Sequence, residues 1–242
     1  ANRDVMKRIC TVFLEGKKSL PNIMAHMSGT LPMAYLGFAD VMLNGEQFNV
    51  SYDHNVIPPG DFYAANLTPE KILAEFYGKQ YGLVPMLLPE FRHDNAEMKK
   101  RCSLAEPTRS FLARTLLHEI EVWPIWCNAN EVLKTWDVKS AFGMADADIA
   151  FVPFWSNTSF CAIEKDVLIS YYRKSGRILL IAANCTDRSI ATEVTFDFSS
   201  FTDMNAVTLI DAMSHGAIPF KNSRISLEIA PQNFRMIIGN TR

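Results

Sequence analysis

His26-Met27-Ser28-Gly29, followed by Phe38-Ala39-Asp40-Val41-Met42-Leu43-Asn44-Gly45-Glu46, ends two apolar, strand-like segments on titratable side chains. A parallel strand buried on both faces reads as a short apolar run, and in a (β/α)8 barrel the residues at its C-terminal end face the open mouth. Asn22 to Ala25 therefore predicts a strand delivering His26 and Ser28. Tyr35 to Ala39 predicts a second, delivering Asp40 and then Glu46. Barrel enzymes present acids and bases to a sugar in this way. A turn reading competes with it, in which Asp40 caps a turn and Asn44-Gly45 is an ordinary tight turn.

Outward from these segments, strand and helix signals alternate. Asn2 to Gly16 has helical spacing, with Val5, Ile9, Val12 and Phe13 on one side and Gly16 near the stop. Thr68-Pro69-Glu70-Lys71 combines a capping hydroxyl, proline at the first helical position and an acid in the first turn, so a helix should run to Tyr77-Gly78. Leu83 to Glu90 is an apolar run that again finishes on an acid, although Pro85 and Pro89 argue against a central strand. Helices are predicted over Asn95 to Arg101, Pro107 to Ile120 and Asn130 to Trp136, with a buried strand or loop at Glu121 to Trp126. This alternation marks an α/β layer with right-handed crossovers. It supplies about half of the eight units a closed barrel needs, so residues 1–147 are expected to be the C-terminal half of a barrel whose first half is absent.

From Asp148 the period becomes two. Val167–Tyr172, Arg177–Asn184, Ala191–Phe198, Ala206–Asp211, Arg224–Ile229 and Phe234–Ile238 are strand-length runs, most of them separated by Gly, Asn, Asp, Ser or Pro. Strict alternation in Thr192 to Phe198 and Arg224 to Ile229 implies one wet and one buried face. Residues 148–242 are thus expected to form an antiparallel β-sandwich.

Composition narrows the function. With 242 residues, 48% hydrophobic and 21% charged, the chain can bury a sizeable core. A net charge of −2 and a pI near 6.2 give no field that would gather phosphates, which argues against a nucleic-acid partner. No apolar run approaches the roughly 18 residues that span a bilayer, so no membrane partner is expected either. Cys10, Cys102, Cys127, Cys161 and Cys185 show no CxxC spacing, and His118-Glu119 has no second ligand at i+4. Neither a metal nor a cofactor is called for. GxSxG, GxxxxGK and GxGxxG are all missing, which disfavours serine hydrolases, P-loop enzymes and dinucleotide enzymes.

The order of His26-x-Ser28, the Phe38-Ala39-Asp40 segment, Asn44-Gly45-Glu46, a helix and a closing antiparallel domain resembles the C-terminal half of bacterial glycoside hydrolases of the family 123-like group. Leu180 to Asn184 with Thr186, Leu209 to Ala212 and Ile229 to Arg235 resemble the closing domain of many retaining sugar hydrolases. The resemblance implies a (β/α)8 barrel followed by a small β-sandwich. It also implies hydrolysis of a glycoside bearing a 2-acetamido group, whose own oxygen attacks the anomeric carbon. An Asp steadies the developing ring and an adjacent Glu protonates the leaving oxygen. No Asp-Glu dipeptide occurs in this sequence, so that pair is not placed here and is expected in the missing N-terminal half of the polypeptide, from a parent compatible with secretion or a periplasmic location.

Residue by residue, Glu46 and Asp40 are the candidate catalytic carboxylates. A strand-end acid among apolar neighbours can retain its proton at neutral pH, and a second can steady positive charge. His26 is a candidate donor to a sugar hydroxyl or partner for Asp40. Trp123, Trp126 and Tyr35 offer flat apolar faces for a sugar ring, and Glu90 ends its own apolar run near the mouth. The alternative is a non-catalytic carbohydrate-binding or structural piece, which predicts exposed aromatics on the sandwich at Tyr171, Tyr172 or Phe220.

Overall fold

A computed structural model describes residues 2–26, 36–46, 63–64, 66–76, 82–91, 95–198, 201 and 207–241. Its first part is a parallel sheet in the order β1 (Met24–His26), β2 (Val41–Asn44), β3 (Val84–Leu87), β4 (Glu121–Val122). The register sets His26 opposite Leu43, Leu43 opposite Met86 and Met86 opposite Glu121. Helix α1 (Asn2–Lys17) precedes β1, and α2 (Pro69–Phe76) connects β2 to β3. Helices α3 (Ala96–Cys102) and α4 (Ala105–Leu116) connect β3 to β4, and α5 (Ala129–Phe142) follows.

Local chemistry explains these bounds. Thr68 Oγ1 accepts from the Lys71 N–H at 3.3 Å, and Asn95 Oδ1 accepts from Glu97 and Met98 at 2.9 and 3.2 Å. Pro107 falls inside the first turn of α4 rather than opening it, where an N–H would have no helical partner anyway. That helix stops at Leu116, short of Ile120. Glu119 turns left-handed (φ 58°), and the Ile120 N–H returns to Thr115 O at 3.1 Å. Helix α5 outruns its expected end at Trp136 and closes on Gly143 (φ 91°), whose N–H reaches Lys139 O and Ser140 O. Pro85 lies in an interior strand after all. The even-numbered positions of β3 serve β2, as Val84 N–H to Asp40 O and Leu88 N–H to Asn44 O show, and pairing with β4 begins only at Met86. The proline nitrogen therefore meets no ladder position.

One expectation is corrected. Tyr35 to Ala39 does not deliver Asp40 at a strand end; the strand is Val41–Asn44, and Asp40 precedes it. Leu36 is helical and Gly37-Phe38 turns, so pairing begins several residues later than the apolar run implies.

The second part holds a six-stranded antiparallel sheet, built from β5 (Ala150–Val152), β7 (Val167–Lys174), β8 (Arg177–Asn184), β10 (Val207–Asp211), β11 (Ala217–Ile218) and β13 (Asn233–Thr241), in the order β11-β10-β13-β8-β7-β5. Against it lies a three-stranded sheet, β12 (Arg224–Ile229), β9 (Ile190–Phe196) and β6 (Phe160–Ala162). In β12, Ile225, Leu227 and Ile229 are buried while Arg224, Ser226 and Glu228 are exposed, as the alternation requires. Phe160, Ile169, Leu180, Val194, Phe196 and Ile237 fill the space between the sheets.

The other face of the six-stranded sheet is not wet. Tyr172, Leu179, Ile181, Phe234, Met236 and Ile238 share one core with Phe111, Leu112 and Leu116 of α4 and Val132 and Phe142 of α5. Arg109 locks this layer: it gives hydrogen bonds to Asn233 Oδ1 (2.9 Å) and Phe234 O (3.3 Å), pairs with Glu131 at 2.8 Å, and covers the Phe234 ring. Leu87 and Val122 of the parallel sheet join the same core, so it runs from β3 and β4 through the helices to the antiparallel sheet.

Candidate functional site

The C-terminal ends of the parallel strands gather four of the residues singled out from sequence. His26 is the last residue of β1, Glu46 lies two positions past β2, Glu90 three past β3, and Trp123 directly follows β4. The ladder continues a step beyond the named strands through Leu88 N–H to Asn44 O (2.7 Å) and Trp123 N–H to Leu87 O (2.9 Å), which holds these ends level. Side chains alternate across the pleat, so His26, Leu43, Met86 and Glu121 share one face, and Leu43, Met86, Leu88 and Trp123 form its apolar floor.

Glycine at position 45 permits the turn into Glu46. Its φ is +122°, and a Cβ there would fall 2.6 Å from Leu88 O. Asn44 Oδ1 accepts from the Gly45 N–H at 3.0 Å. The chain so bent sets Glu46 Oε2 3.4 Å from His26 Nε2, with both side chains partly open to solvent (31% and 46% exposed). An acid and an imidazole on adjacent strand ends can pass a proton to or from a bound oxygen, or orient a hydroxyl between them.

Glu90 is buried, and its N–H donates to Tyr63 Oη at 3.1 Å. Tyr63 is itself wedged edge-on between Phe91 and Phe111. Glu121, which the sequence reading passed over, is spoken for: its carboxylate accepts from Trp136 Nε1 at 3.0 Å and pairs with Lys139, tying α5 to β4. A Trp and a Lys three apart on the helix that follows the strand, Trp136 and Lys139, are the signal that could have marked it.

Asp40 does not join this group. Four strand residues, at about 3.3 Å each, separate it from the end that carries Glu46. Its Oδ2 accepts from the Ile23 N–H at 2.7 Å, a turn-bridging role at the opposite rim of the sheet. The expected pairing of His26 with Asp40 is replaced by His26 with Glu46. Trp126, 37% exposed and left-handed (φ 57°), stands on the loop beyond Trp123. Tyr35 and Ser28 lie outside the described residues. Tyr171 and Tyr172 are buried, and Phe220 is half-buried beside the Phe196 and Phe198 rings, so these sandwich aromatics present no open sugar platform. Among the described residues no group of three or more His, Cys, Asp or Glu could hold a metal ion.

Over nearly its whole length the chain superposes on two α-amylases. A noncanonic maltogenic α-amylase from Thermotoga neapolitana matches with a TM-score of 0.51 at 11% identity, over 99% of this chain and 66% of that one. The α-amylase from Geobacillus thermoleovorans, solved with acarbose, matches with a TM-score of 0.53 at 10% identity, over 99% of this chain and 57% of that one. At such identities the likeness is one of fold: a parallel α/β layer closed by antiparallel sheets. The chain spans less than two-thirds of the length of either enzyme. No protein-family model matches the sequence, and no curated protein matches it.

Proposed function

We propose that this chain is the C-terminal half of a glycoside hydrolase, with residues 1–147 forming half of a (β/α)8 barrel and residues 148–242 the β-module that closes it. The observation that supports this most is the His26–Glu46 contact at the C-terminal ends of adjacent parallel strands, where barrel enzymes keep their chemistry. The whole-length fold likeness to two sugar-cleaving enzymes agrees with it.

In this reading Glu46 exchanges a proton with the glycosidic oxygen while His26 holds it in place, Glu90 contacts a sugar hydroxyl, and Trp123 and Trp126 flank the ring. The substrate is a 2-acetamido glycoside, whose acetamido oxygen serves as nucleophile, so no second protein carboxylate has to take that role. With Asp40 at the opposite rim, the Asp that steadies the developing ring comes from an upstream segment of the same polypeptide. That segment also supplies the remaining strands. Consistent with this, among the described residues β1 stands at one edge of the parallel sheet, and Val5, Ile9, Val12 and Phe13 of α1 are exposed.

The test joins this chain to the polypeptide encoded upstream and follows cleavage of aryl glycosides with and without the 2-acetamido group. Glu46→Gln should lower kcat about 10²- to 10⁴-fold, as loss of a general acid–base group does. Full activity in that variant would remove Glu46 from the chemistry. Equal turnover of both sugars would overturn the acetamido route.

A further inference from the structure

A cleft of about 440 Å³ opens where α5 meets the β10–β13 side of the six-stranded sheet, away from the strand ends. Its floor is apolar, made by Val138, Ala141, Ile210, Met213 and Ile238. Small residues at positions 141 and 212 leave the helix and the sheet without a filled contact there. We infer that this cleft binds a small amphipathic organic anion, such as a medium-chain carboxylate, with Arg177 and Asn240 holding the charged end.

The charge argument rests on Arg177. Its Nε donates to Asn240 Oδ1 at 2.8 Å, its Nη1 donates to Phe142 O at 3.2 Å, and its guanidinium lies 5.0 Å from the Phe142 ring centroid. All three partners are neutral. Among the described residues no carboxylate pairs with it, and Nη2 has no protein acceptor. A guanidinium oriented but not neutralised is a ready partner for a carboxylate, which it can meet through two parallel N–H groups. Asn240 adds a donor: with Oδ1 engaged by Arg177, its Nδ2 amide is left to serve the same anion.

Of the other charged groups in the lining, Lys134 is paired at 2.6 Å with Glu131, which lies outside the lining, and Asp137 is the one acid there; among the described residues no ion pair joins Asp137 to Arg177, so the guanidinium charge stays available to a ligand. The lining contains no Trp, Tyr or Phe, so it lacks the flat faces on which sugars stack; its apolar floor suits a hydrocarbon tail. The inference does not depend on the glycosidase reading.

Hexanoate, with hexan-1-ol as its uncharged counterpart, tests it by titration against the methyl resonances of Met213, Ile210 and Ile238. Saturable shifts with hexanoate and far weaker ones with hexanol are expected. Arg177→Gln should weaken hexanoate about 10-fold, the scale of one lost charge-assisted hydrogen bond. Asn240→Asp, which supplies Arg177 with an internal carboxylate, should do the same, and Ala141→Phe should abolish the shifts by filling the floor. Thermal melting of each variant confirms that it is folded, and if one is not, the other two decide. Absence of saturation in the wild type, equal binding of hexanol, or unchanged affinity in the folded variants would overturn the assignment.

Discussion

Along β8 every residue from Ile178 to Asn184 is buried, whereas along β1 Met24 and His26 are exposed and Ala25 is half-buried. The two strands belong to sheets with different surroundings. One is enclosed between helices and a second sheet; the other has, among the described residues, a single strand neighbour and small apolar clusters, Leu36-Met42-Leu83 on one face and Leu43-Met86-Leu88 on the other. Rigidity and candidate chemistry are therefore separated. The antiparallel half with α4 and α5 carries the buried area, and the parallel strands carry the polar side chains on a thinner foundation.

Removing a ring from the shared core is the strongest way to break that contrast. Phe111 is 1% exposed and meets Tyr63 edge-on at 5.0 Å and Phe91 at 6.0 Å. Phe111→Ala should cost about 3–5 kcal/mol, the range for an emptied aromatic site. Denaturant titration with a fluorescence and a far-ultraviolet readout should show both halves losing stability together, since Leu87 and Val122 share this core with Phe234 and Met236. A loss confined to one half would show that the halves unfold independently.

Gly45→Ala should have a smaller and more local effect. A left-handed backbone combined with a Cβ 2.6 Å from Leu88 O costs about 2 kcal/mol, and the neighbouring strand end has to give way. Hydrogen exchange should accelerate at Leu88 and Trp123, whose N–H groups continue the ladder, and stay slow in β8 and β13. Uniform acceleration would contradict the thin-foundation picture.

What was legible in the sequence follows the same division. Long alternating runs have one wet and one dry face, so β9 and β12 could be read almost to the residue. The two- and three-residue strands β5, β6 and β11 are too short to show a period. Asp40 was misplaced because Leu36 to Leu43 is nearly all apolar, and such a run states that a strand is buried without stating where pairing begins. Register supplied that answer, through Met24 opposite Val41. The partnership of Glu46 with His26 joins residues twenty positions apart, and only the parallel pairing of β1 and β2 brings them together. Arg109 escaped notice for a similar reason, since its partners Glu131 and Asn233 come from distant segments.

The Arg109–Glu131 lock gives a pH signature. Burial alone would raise the Glu131 pKa, but hydrogen bonds from Lys134 and Arg109, with their charges, outweigh it and hold the carboxyl below its ordinary value of 4.5. Asp211 is held below 3.8 in the same way, burial being outweighed by Ser214 and Arg235. Because the folded values lie below the unfolded ones, this stabilisation is fully present above pH 4.5 and lost as pH falls through the lowered values. Glu131→Gln should cost about 1.5 kcal/mol at pH 7, and its deficit against wild type should shrink in urea titrations at progressively lower pH. A deficit independent of pH would mean that packing, not charge, joins α5 to α4.

Glu46→Gln should affect stability least of all. The His26–Glu46 contact is 3.4 Å long, and its side chains are 46% and 31% exposed, so solvent screens it and its worth to the fold is about 0–1 kcal/mol. Leu43, Met86 and Leu88, which carry the local packing, are untouched by the change. The melting temperature should therefore stay within a degree or two of wild type, while a binding or turnover measurement responds. A large stability loss would mean that Glu46 supports the strand ends, and its effect on activity would then say nothing about proton transfer. A pair that contributes little to folding yet sits level with the ends of two adjacent parallel strands is placed where the sheet offers contact to a ligand rather than to itself, and this variant separates those two roles.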